Sequence, residues 1–261
     1  MPELSDKQLQ ARKPTRLHVM SQRQPTSTPA LPNYAELHCL TNFSFQRGAS
    51  HPEELVARAY QLGYRALAIT DECSVAGVVR AHVALREHLE AIDEYEHDHP
   101  EAAPLPRNPG FRLLYGSEFQ FERFKLVAIA HDLEGWGNLC EFITAARTTE
   151  APKGEYRVSW MGSDVASLRH CEILLVPRRE AGGAIDFIAL CADVAGAAAI
   201  FGSNLWIAAE LLNELDDDLW LATLERASDE TGVPLVAAGD VHMHKRSRAP
   251  AWRARGRHRA R

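Results

Sequence analysis

The chain has 261 residues, of which 46% are apolar, enough for one large domain or two small ones with an ordinary core. Its formal net charge is −6, from 29 basic and 35 acidic residues. The charge is unevenly distributed, because residues 245–261 hold 8 Lys/Arg and no Asp/Glu, which leaves 21 basic and 35 acidic groups in the first 244 residues. Such an acidic body is not typical of a duplex-binding surface.

The five cysteines are odd in number, widely spaced and without a CxxC pair. This pattern predicts reduced thiols rather than a disulfide framework. No uninterrupted apolar run reaches the ~18 residues that span a bilayer, and the N-terminus lacks the apolar segment of a signal peptide. We therefore expect a soluble, cytoplasmic protein with no membrane partner.

The predicted elements begin after residues 1–33, a polar stretch interrupted by prolines that we interpret as a disordered lead-in. Strands are predicted at 34–38, 66–70, 111–119, 124–130, 172–176, 204–209 and 235–238. Helices are predicted at 51–62, 76–96, 135–147, 183–196 and 216–231, with Ser50 as the N-cap of the first and Gly63 just past its end. The second helix is expected to bury Val79, Val83, Leu85 and Leu89.

The alternation of strands and helices predicts an α/β fold in which a parallel sheet is covered by helices. Alternation alone does not separate a barrel from an open doubly wound sheet. No GxGxxG or P-loop follows the first strand, which disfavours a nucleotide-binding open sheet.

The basic tail at 245–261 has three interpretations. It is a solvated surface segment, a nucleic-acid-binding arm, or a stretch read out of frame from a GC-rich gene, since Arg, Ala, Gly and Pro dominate it. The third interpretation makes the chain a truncated or frameshifted form of a longer protein. Any DNA affinity of the chain is expected to come from this tail and to be salt-dependent.

Acidic and imidazole side chains recur where predicted strands end. In a barrel of parallel strands such side chains converge on one mouth. His and carboxylate ligands that hold divalent ions there are typical of a metal-dependent phosphoesterase. The candidates are His38, Asp71, Glu118, Asp240 and His242. Each one taken alone is also explained as a hydrogen-bonded loop residue, and imidazole is sparse for a zinc site.

Several segments together resemble the PHP (polymerase and histidinol phosphatase) domain of bacterial C-family DNA polymerases, and more closely its error-prone branch. The resemblance covers roughly residues 33–244. It is carried by Tyr34-Ala-Glu-Leu-His38-Cys-Leu-Thr-Asn-Phe-Ser-Phe45, Gly63-Tyr-Arg-Ala-Leu-Ala-Ile-Thr-Asp-Glu-Cys73, Gly116-Ser-Glu118, Glu134-Gly-Trp-Gly-Asn-Leu139 and Ala238-Gly-Asp-Val-His-Met-His244.

The resemblance implies a PHP-type distorted (β/α)7 barrel over 34–244, between the lead-in and the tail. It implies that His38, Asp71, Glu118, Asp240 and His242 occupy metal-ligand positions of the family, for a divalent metal such as Zn, Mn or Mg. Other ligand positions are filled by Glu36, Leu40, Glu72, Lys125 and Arg178. With about half the ligands replaced, we expect a degenerate metal site.

The function implied by the resemblance is that of the N-terminal PHP domain of an error-prone polymerase, which performs DNA-templated synthesis during damage tolerance. The palm that supplies polymerase aspartates is not in this sequence, so we expect a structural platform rather than a polymerase. The implied partners are DNA, through the full-length enzyme, and translesion accessory proteins. The alternatives are a free-standing metal phosphoesterase of histidinol-phosphatase type and a non-catalytic binding module.

Overall fold

A computed structural model describes residues 33–148, 152, 154–179 and 186–248 of the chain. The predicted lead-in up to residue 32, the predicted start of the fourth helix at Gly183 and the tail beyond residue 248 lie outside the described residues. Residues 246–248 form a single 3-10 turn.

The described residues contain one seven-stranded sheet in which each strand pairs with the next in chain order. The strands lie within about two residues of the predicted bounds. They are β1 Ala35–Glu36, β2 Ala66–Ile69, β3 Arg112–Gln120, β4 Phe124–Ala130, β5 Cys171–Pro177, β6 Leu205–Glu210 and β7 Leu235–Ala238.

The two ends of the sheet meet, so that the sheet curls into a nearly closed barrel. A parallel bridge joins Cys39 to Val241, just beyond β1 and β7. Two backbone hydrogen bonds support it, from Leu40 N to the Val241 carbonyl (2.8 Å) and from Val241 N to the His38 carbonyl (2.9 Å). The predicted α/β barrel architecture is therefore confirmed.

The predicted parallel sheet is interrupted at β4. This strand runs antiparallel to both β3 and β5, whereas the other paired strands are parallel. The physical reason is the short connection at residues 121–123 between β3 and β4, since a parallel neighbour needs a crossover of a dozen or more residues. The beginning of β4 consequently lies beside the ends of its neighbours, with Lys125 opposite Gln120 and Val176.

Five α-helices cover the outside of the barrel in the described residues. They are α1 Pro52–Gln61, α2 Ala76–Asp98, α3 Leu133–Thr148, α4 Phe187–Phe201 and α5 Asp217–Thr231. The N-cap of α1 is His51 rather than the predicted Ser50. Ser50 is unavailable for capping because its hydroxyl bonds His244, at 2.8 Å from Nδ1 and 3.0 Å from the backbone nitrogen. Gly63 follows α1 with a φ of 74°, as the predicted glycine stop requires.

The face that α2 buries differs from the predicted one. Val78, Ala81, Ala84 and Ile92 are buried, whereas Val79 is 67% exposed and Leu89 is 37% exposed. The small residues allow α2 to pack closely on its neighbours, and of the four residues predicted to be buried Leu85 does pack against a core cluster. The large apolar residues alone therefore predicted a face of the helix adjacent to the one that is buried.

Helix α4 with the turn that follows it, Phe187–Asn204, is long and apolar enough to cross a membrane by length and composition alone. This corrects the expectation that no segment would pass such a test. Leu190, Val194 and Ala197 on this helix belong to the largest core cluster of the barrel. Asp193 on the same helix accepts hydrogen bonds from Arg123.

Candidate functional site

The mouth of the barrel brings together acidic side chains around one buried histidine. His38 follows β1 and is fully buried. Its Nε2 lies 2.7 Å from Glu118 Oε2 on β3, and its Nδ1 lies 2.5 Å from Glu210 Oε1 at the end of β6. Asp240, two residues past β7, approaches the same Nδ1 at 3.8 Å. Four strand ends that are distant in sequence therefore converge on one imidazole.

Lys125 places an ammonium group among these carboxylates. Its Nζ lies 2.9 Å from Asp240 Oδ2, 3.5 Å from Glu210 Oε2 and 3.9 Å from Glu118 Oε2. A residue near the start of a strand reaches the mouth only because β4 is antiparallel to its neighbours. We call His38, Glu118, Lys125, Glu210 and Asp240 the charged cage.

Arg47 adds a second cation at the rim of the charged cage. Its guanidinium donates to both carboxylate oxygens of Glu118, with Nη2 3.0 Å from Oε2, and its Nη1 lies 2.9 Å from Glu72 Oε2. Arg47 lies in the loop that follows β1 and reaches back over the mouth. The Glu118 side chain is itself fully buried, so a cationic partner offsets the cost of its burial.

The pKa shifts in the charged cage favour the charged forms of both its basic and its acidic side chains. Burial alone lowers the pKa of His38, but its hydrogen bonds to Glu118 and Glu210 raise this pKa to about 10. Burial alone raises the pKa of Glu118, but His38 and Arg47 hold that pKa well below its usual range. Burial alone lowers the pKa of Lys125, but Glu210 and Asp240 raise it above its usual value. The carboxylate neighbours of His38 therefore favour its imidazolium form.

Three of the five predicted ligands meet in the charged cage. Ligand atoms of His38, Glu118 and Asp240 lie within 4.8 Å of one another, a group that could hold a metal ion. His242 joins them through Asp240, because its Nε2 lies 2.8 Å from Asp240 Oδ1. Asp240 adopts a left-handed φ of 43°, which an aspartate tolerates better than most residues.

Asp71 has a different set of partners. Its buried carboxylate accepts hydrogen bonds from the backbone nitrogen and hydroxyl of Thr41 (2.8 Å each at the shortest) and from the Ser44 hydroxyl (2.6 Å). Burial raises the pKa of Asp71, although these hydrogen bonds oppose the rise. These contacts fit the interpretation of a hydrogen-bonded residue that fixes the loop after β1.

The other positions at which the resemblance implies ligands have structural surroundings of their own. Glu36 is almost fully buried and accepts from the Tyr34 hydroxyl (2.9 Å) and from the backbone nitrogens of His38 (2.9 Å) and Gly239 (3.0 Å). Leu40 is fully buried in the core. Arg178 donates to Gln120 Oε1 and to the Phe121 carbonyl, both at 2.8 Å.

Sequence reasoning missed two residues of the mouth. Glu210 ends β6, one residue beyond the predicted strand, and the rule that strand-end acids converge would have included it. Arg47 lies in a loop with no periodic signal, and only its folded position shows that it contacts Glu118. The sequence analysis includes Lys125 and two of its carboxylate neighbours, Glu118 and Asp240, whereas the third neighbour, Glu210, was missed.

The donor set of the charged cage does not fit a divalent metal as it stands. A histidine ligand offers a lone pair, whereas both ring nitrogens of His38 already lie within hydrogen-bond distance of carboxylates, Nδ1 of Glu210 and Nε2 of Glu118. Lys125 and Arg47 already supply the positive charge that Asp240 and Glu118 require. A catalytic ion also needs an open position for water or substrate.

The nearly closed barrel and its acidic mouth define a PHP-type protein. The PHP domain family matches residues 36–209, and the chain belongs to this family. Within the family, the chain is 44% identical over 230 residues to an error-prone DNA polymerase of Azoarcus sp. and 43% identical over 241 residues to that of Ralstonia nicotianae. These matches cover 85% and 87% of this chain but only 21% and 20% of the relatives. The chain thus spans about a fifth of the length of the curated relatives it matches.

One solved structure shares the fold at low sequence identity. An amidohydrolase from Chromobacterium violaceum superposes with a TM-score of 0.53 and 15% identity, covering 81% of this chain and 88% of its own. At this level of identity the likeness concerns the fold alone.

Proposed function

We propose that the chain is the PHP platform of an error-prone DNA polymerase, in which protein cations replace metal ions at the mouth of the barrel. The observation that carries the platform role is the Lys125 ammonium, 2.9 Å from Asp240 and within 3.9 Å of Glu118 and Glu210. Together with Arg47 and the His38 imidazolium, it balances the acids that would otherwise bind divalent ions.

The charged cage supports the fold rather than hydrolysis. Metal-assisted hydrolysis of a phosphoester requires an ion that activates water and neutralises the phosphate. An ammonium that is held by three carboxylates cannot perform the first task, because it has no exchangeable ligand position. The same contacts tie β1, β3, β4, β6 and the end of β7 together, which stabilises the closed barrel.

The wider context follows from the relatives and belongs to the same proposal. Error-prone DNA polymerases are similar to this chain over most of its length, so we place it in DNA-templated synthesis during damage tolerance. Its partners would be DNA, through the remainder of such an enzyme, and translesion accessory proteins, and its compartment would be the cytoplasm. Polymerase chemistry is assigned to the full enzyme and not to these 261 residues.

Three assays on the purified 261-residue chain test the proposal. After dialysis against Zn²⁺, Mn²⁺ or Mg²⁺, elemental analysis is expected to find far less than one ion per chain. Hydrolysis of a phosphomonoester and extension of a primed template are expected to stay at the level of a buffer blank. Binding of one metal ion per chain together with hydrolysis would overturn the platform role. Measurable primer extension would overturn the statement that polymerase chemistry belongs to the full enzyme and not to these 261 residues.

A metal-dependent phosphoesterase of histidinol-phosphatase type is the second candidate. It is favoured by one observation, the close approach of His38, Glu118 and Asp240. It predicts turnover of a phosphomonoester that disappears in His242→Ala, which would remove the partner of Asp240. Equal turnover by the wild type and His242→Ala would exclude the phosphoesterase function.

A further inference from the structure

A wide groove lies beside the charged cage and shares Lys125 with it. It encloses about 1670 Å³, beyond the ~300–1,000 Å³ of pockets that hold small molecules. One wall is the loop at residues 43–47 and the other is the segment at residues 154–163, with Glu72, Gln120 and Lys125 between them. We call it the mouth groove. Its volume fits a polymeric ligand of several monomer units.

The wall at residues 154–163 is attached to the barrel. The Tyr156 hydroxyl accepts from the Gln120 backbone nitrogen at 3.0 Å and donates to Glu72 Oε1 at 3.1 Å. The Arg157 backbone nitrogen donates to the Ala146 carbonyl near the end of α3 at 3.0 Å. Side chains on this wall are therefore held at fixed places beside the mouth.

The mouth groove is basic although the body of the chain is acidic. Its lining includes the cations Arg47, Lys125, Arg147, Arg157 and Arg178 against the acids Glu72 and Glu155. Arg47 and Lys125 are bonded to carboxylates. Arg147 instead bonds the Cys73 carbonyl at 2.9 Å, and Arg178 bonds the Gln120 amide oxygen and the Phe121 carbonyl. These partners are uncharged, so the bonds position the guanidinium groups without neutralising them.

Aromatic side chains lie beside these cations. Phe45 is 82% exposed and Phe43 is 39% exposed, both in the wall formed by the loop after β1. The Tyr156 ring on the opposite wall lies 5.7 Å from the Arg147 guanidinium. An exposed ring such as Phe45 in the same groove as several arginines provides a stacking surface for bases beside contacts for phosphates, the combination that holds single strands without sequence preference.

We propose that the mouth groove binds single-stranded nucleic acid, with Arg147, Arg157 and Arg178 contacting phosphates and Phe45 stacking on a base. A duplex fits poorly, because its bases already stack on one another and the acidic body repels its second strand. Binding in the groove needs no metal in the charged cage, so it holds or fails independently of the platform role.

The test uses the full 261-residue chain and a fluorescent oligothymidylate, with anisotropy measured over a range of salt concentrations. Phe45→Ala is expected to raise Kd by roughly fivefold to a hundredfold, the usual effect of removing one stacking ring. Arg157→Ala combined with Arg178→Ala is expected to weaken binding and to reduce the salt slope by about 1.4, since two phosphate contacts are lost at about 0.7 each for a single strand. Arg86→Ala, an exposed arginine of α2, is the matched control and should leave Kd unchanged.

Photo-crosslinking separates the mouth groove from the basic tail. An oligonucleotide carrying 5-iododeoxyuridine is expected to crosslink to peptides that contain Phe45 or Tyr156. Crosslinks confined to residues 245–261, or a Kd that neither groove variant changes, would overturn the proposal, as would the absence of saturable binding at low salt. Circular dichroism of each variant checks that a loss of binding is not a loss of folding.

Discussion

Lys125→Met tests the charged cage most directly, because it removes the central ammonium and keeps a side chain of similar length. The Lys125 side chain is only 13% exposed, and its three carboxylate neighbours are 15% exposed or less. Glu118, Glu210 and Asp240 would then share less positive charge in a largely buried mouth.

The size of the loss follows from the geometry. At an effective dielectric constant of about 20, an ion pair at 2.9 Å is worth roughly 6 kcal/mol before desolvation is counted. Desolvation of the ammonium offsets much of this, and breaking a buried pair from one side typically costs about 3–5 kcal/mol. Arg47 and His38 remain, so we expect about 3 kcal/mol, a large part of the ~5–15 kcal/mol that stabilises most domains.

Urea unfolding of the wild type, Lys125→Met and Lys125→Arg at pH 7 gives this number directly. Arg107→Met is the matched control, because Arg107 also contacts two acids, Asp93 at 2.7 Å and Glu96 at 2.6 Å, on an exposed helix face. Exposed pairs contribute little, so its unfolding curve should stay close to that of the wild type. Lys125→Arg keeps the positive charge, so its free energy of unfolding should fall less than that of Lys125→Met.

Metal provides a second readout of the same substitution. If Lys125 takes the place of a cation, Mn²⁺ should raise the unfolding midpoint of Lys125→Met but not that of the wild type, since a ligand stabilises only the form that binds it. A free energy of unfolding for Lys125→Met that matches Arg107→Met, with no response to Mn²⁺, would refute the reasoning.

Three further predictions concern other residues of the barrel. The folded pKa of His38, about 10, exceeds its ordinary 6.5, so its stabilisation is fully present below pH 6.5 and is lost as pH rises towards 10. Urea unfolding at several pH values should show this decline, on the order of a few kcal/mol, and an equal slope in His38→Gln would contradict it. Asp71→Ala should lower the free energy of unfolding by about 2–3 kcal/mol, because it leaves buried donors unpaired; a loss below ~0.5 kcal/mol would contradict the role given to this carboxylate. Gly77→Ala should destabilise by about 1–3 kcal/mol, since its Cβ would meet Asp71 Oδ2 at 2.3 Å. Gly137→Ala in α3, where a Cβ meets nothing within 4 Å, should instead stabilise by about 0.5–1 kcal/mol, and equal thermal shifts in the two variants would contradict the packing argument.

The order and type of the secondary-structure elements could be predicted from the sequence because local patterns determine them. Strand runs, the glycine after α1 and the apolar helices all leave local signals. The direction of β4 was not stated in the sequence analysis, although the short connection at residues 121–123 indicates an antiparallel pair. The buried face of α2 was missed because alanines such as Ala81 and Ala84, rather than the larger Val79 and Leu89, make the close contacts.

The site residues that lie at strand ends could be predicted from the sequence, whereas those that lie in loops could not. His38, Glu118 and Asp240 follow or end strands, and they meet as expected. Asp71 has the same sequence signature, yet its carboxylate is used by Thr41 and Ser44. No local pattern distinguishes a carboxylate that bonds its own loop from one that faces the mouth, since the difference depends on contacts across the fold.

The contacts that close the barrel between β1 and β7 affect how the chain folds during its synthesis. The backbone nitrogen of Gly239 bonds the Glu36 carboxylate across 203 positions of the sequence, and β1 itself has only two residues. During synthesis, the partner that closes the barrel leaves the ribosome long after the first strand does. Until then β1 has only β2 beside it, and His38 lacks both Glu210 and Asp240. Such long-range closure slows folding, and we expect the mouth of the barrel to assemble late.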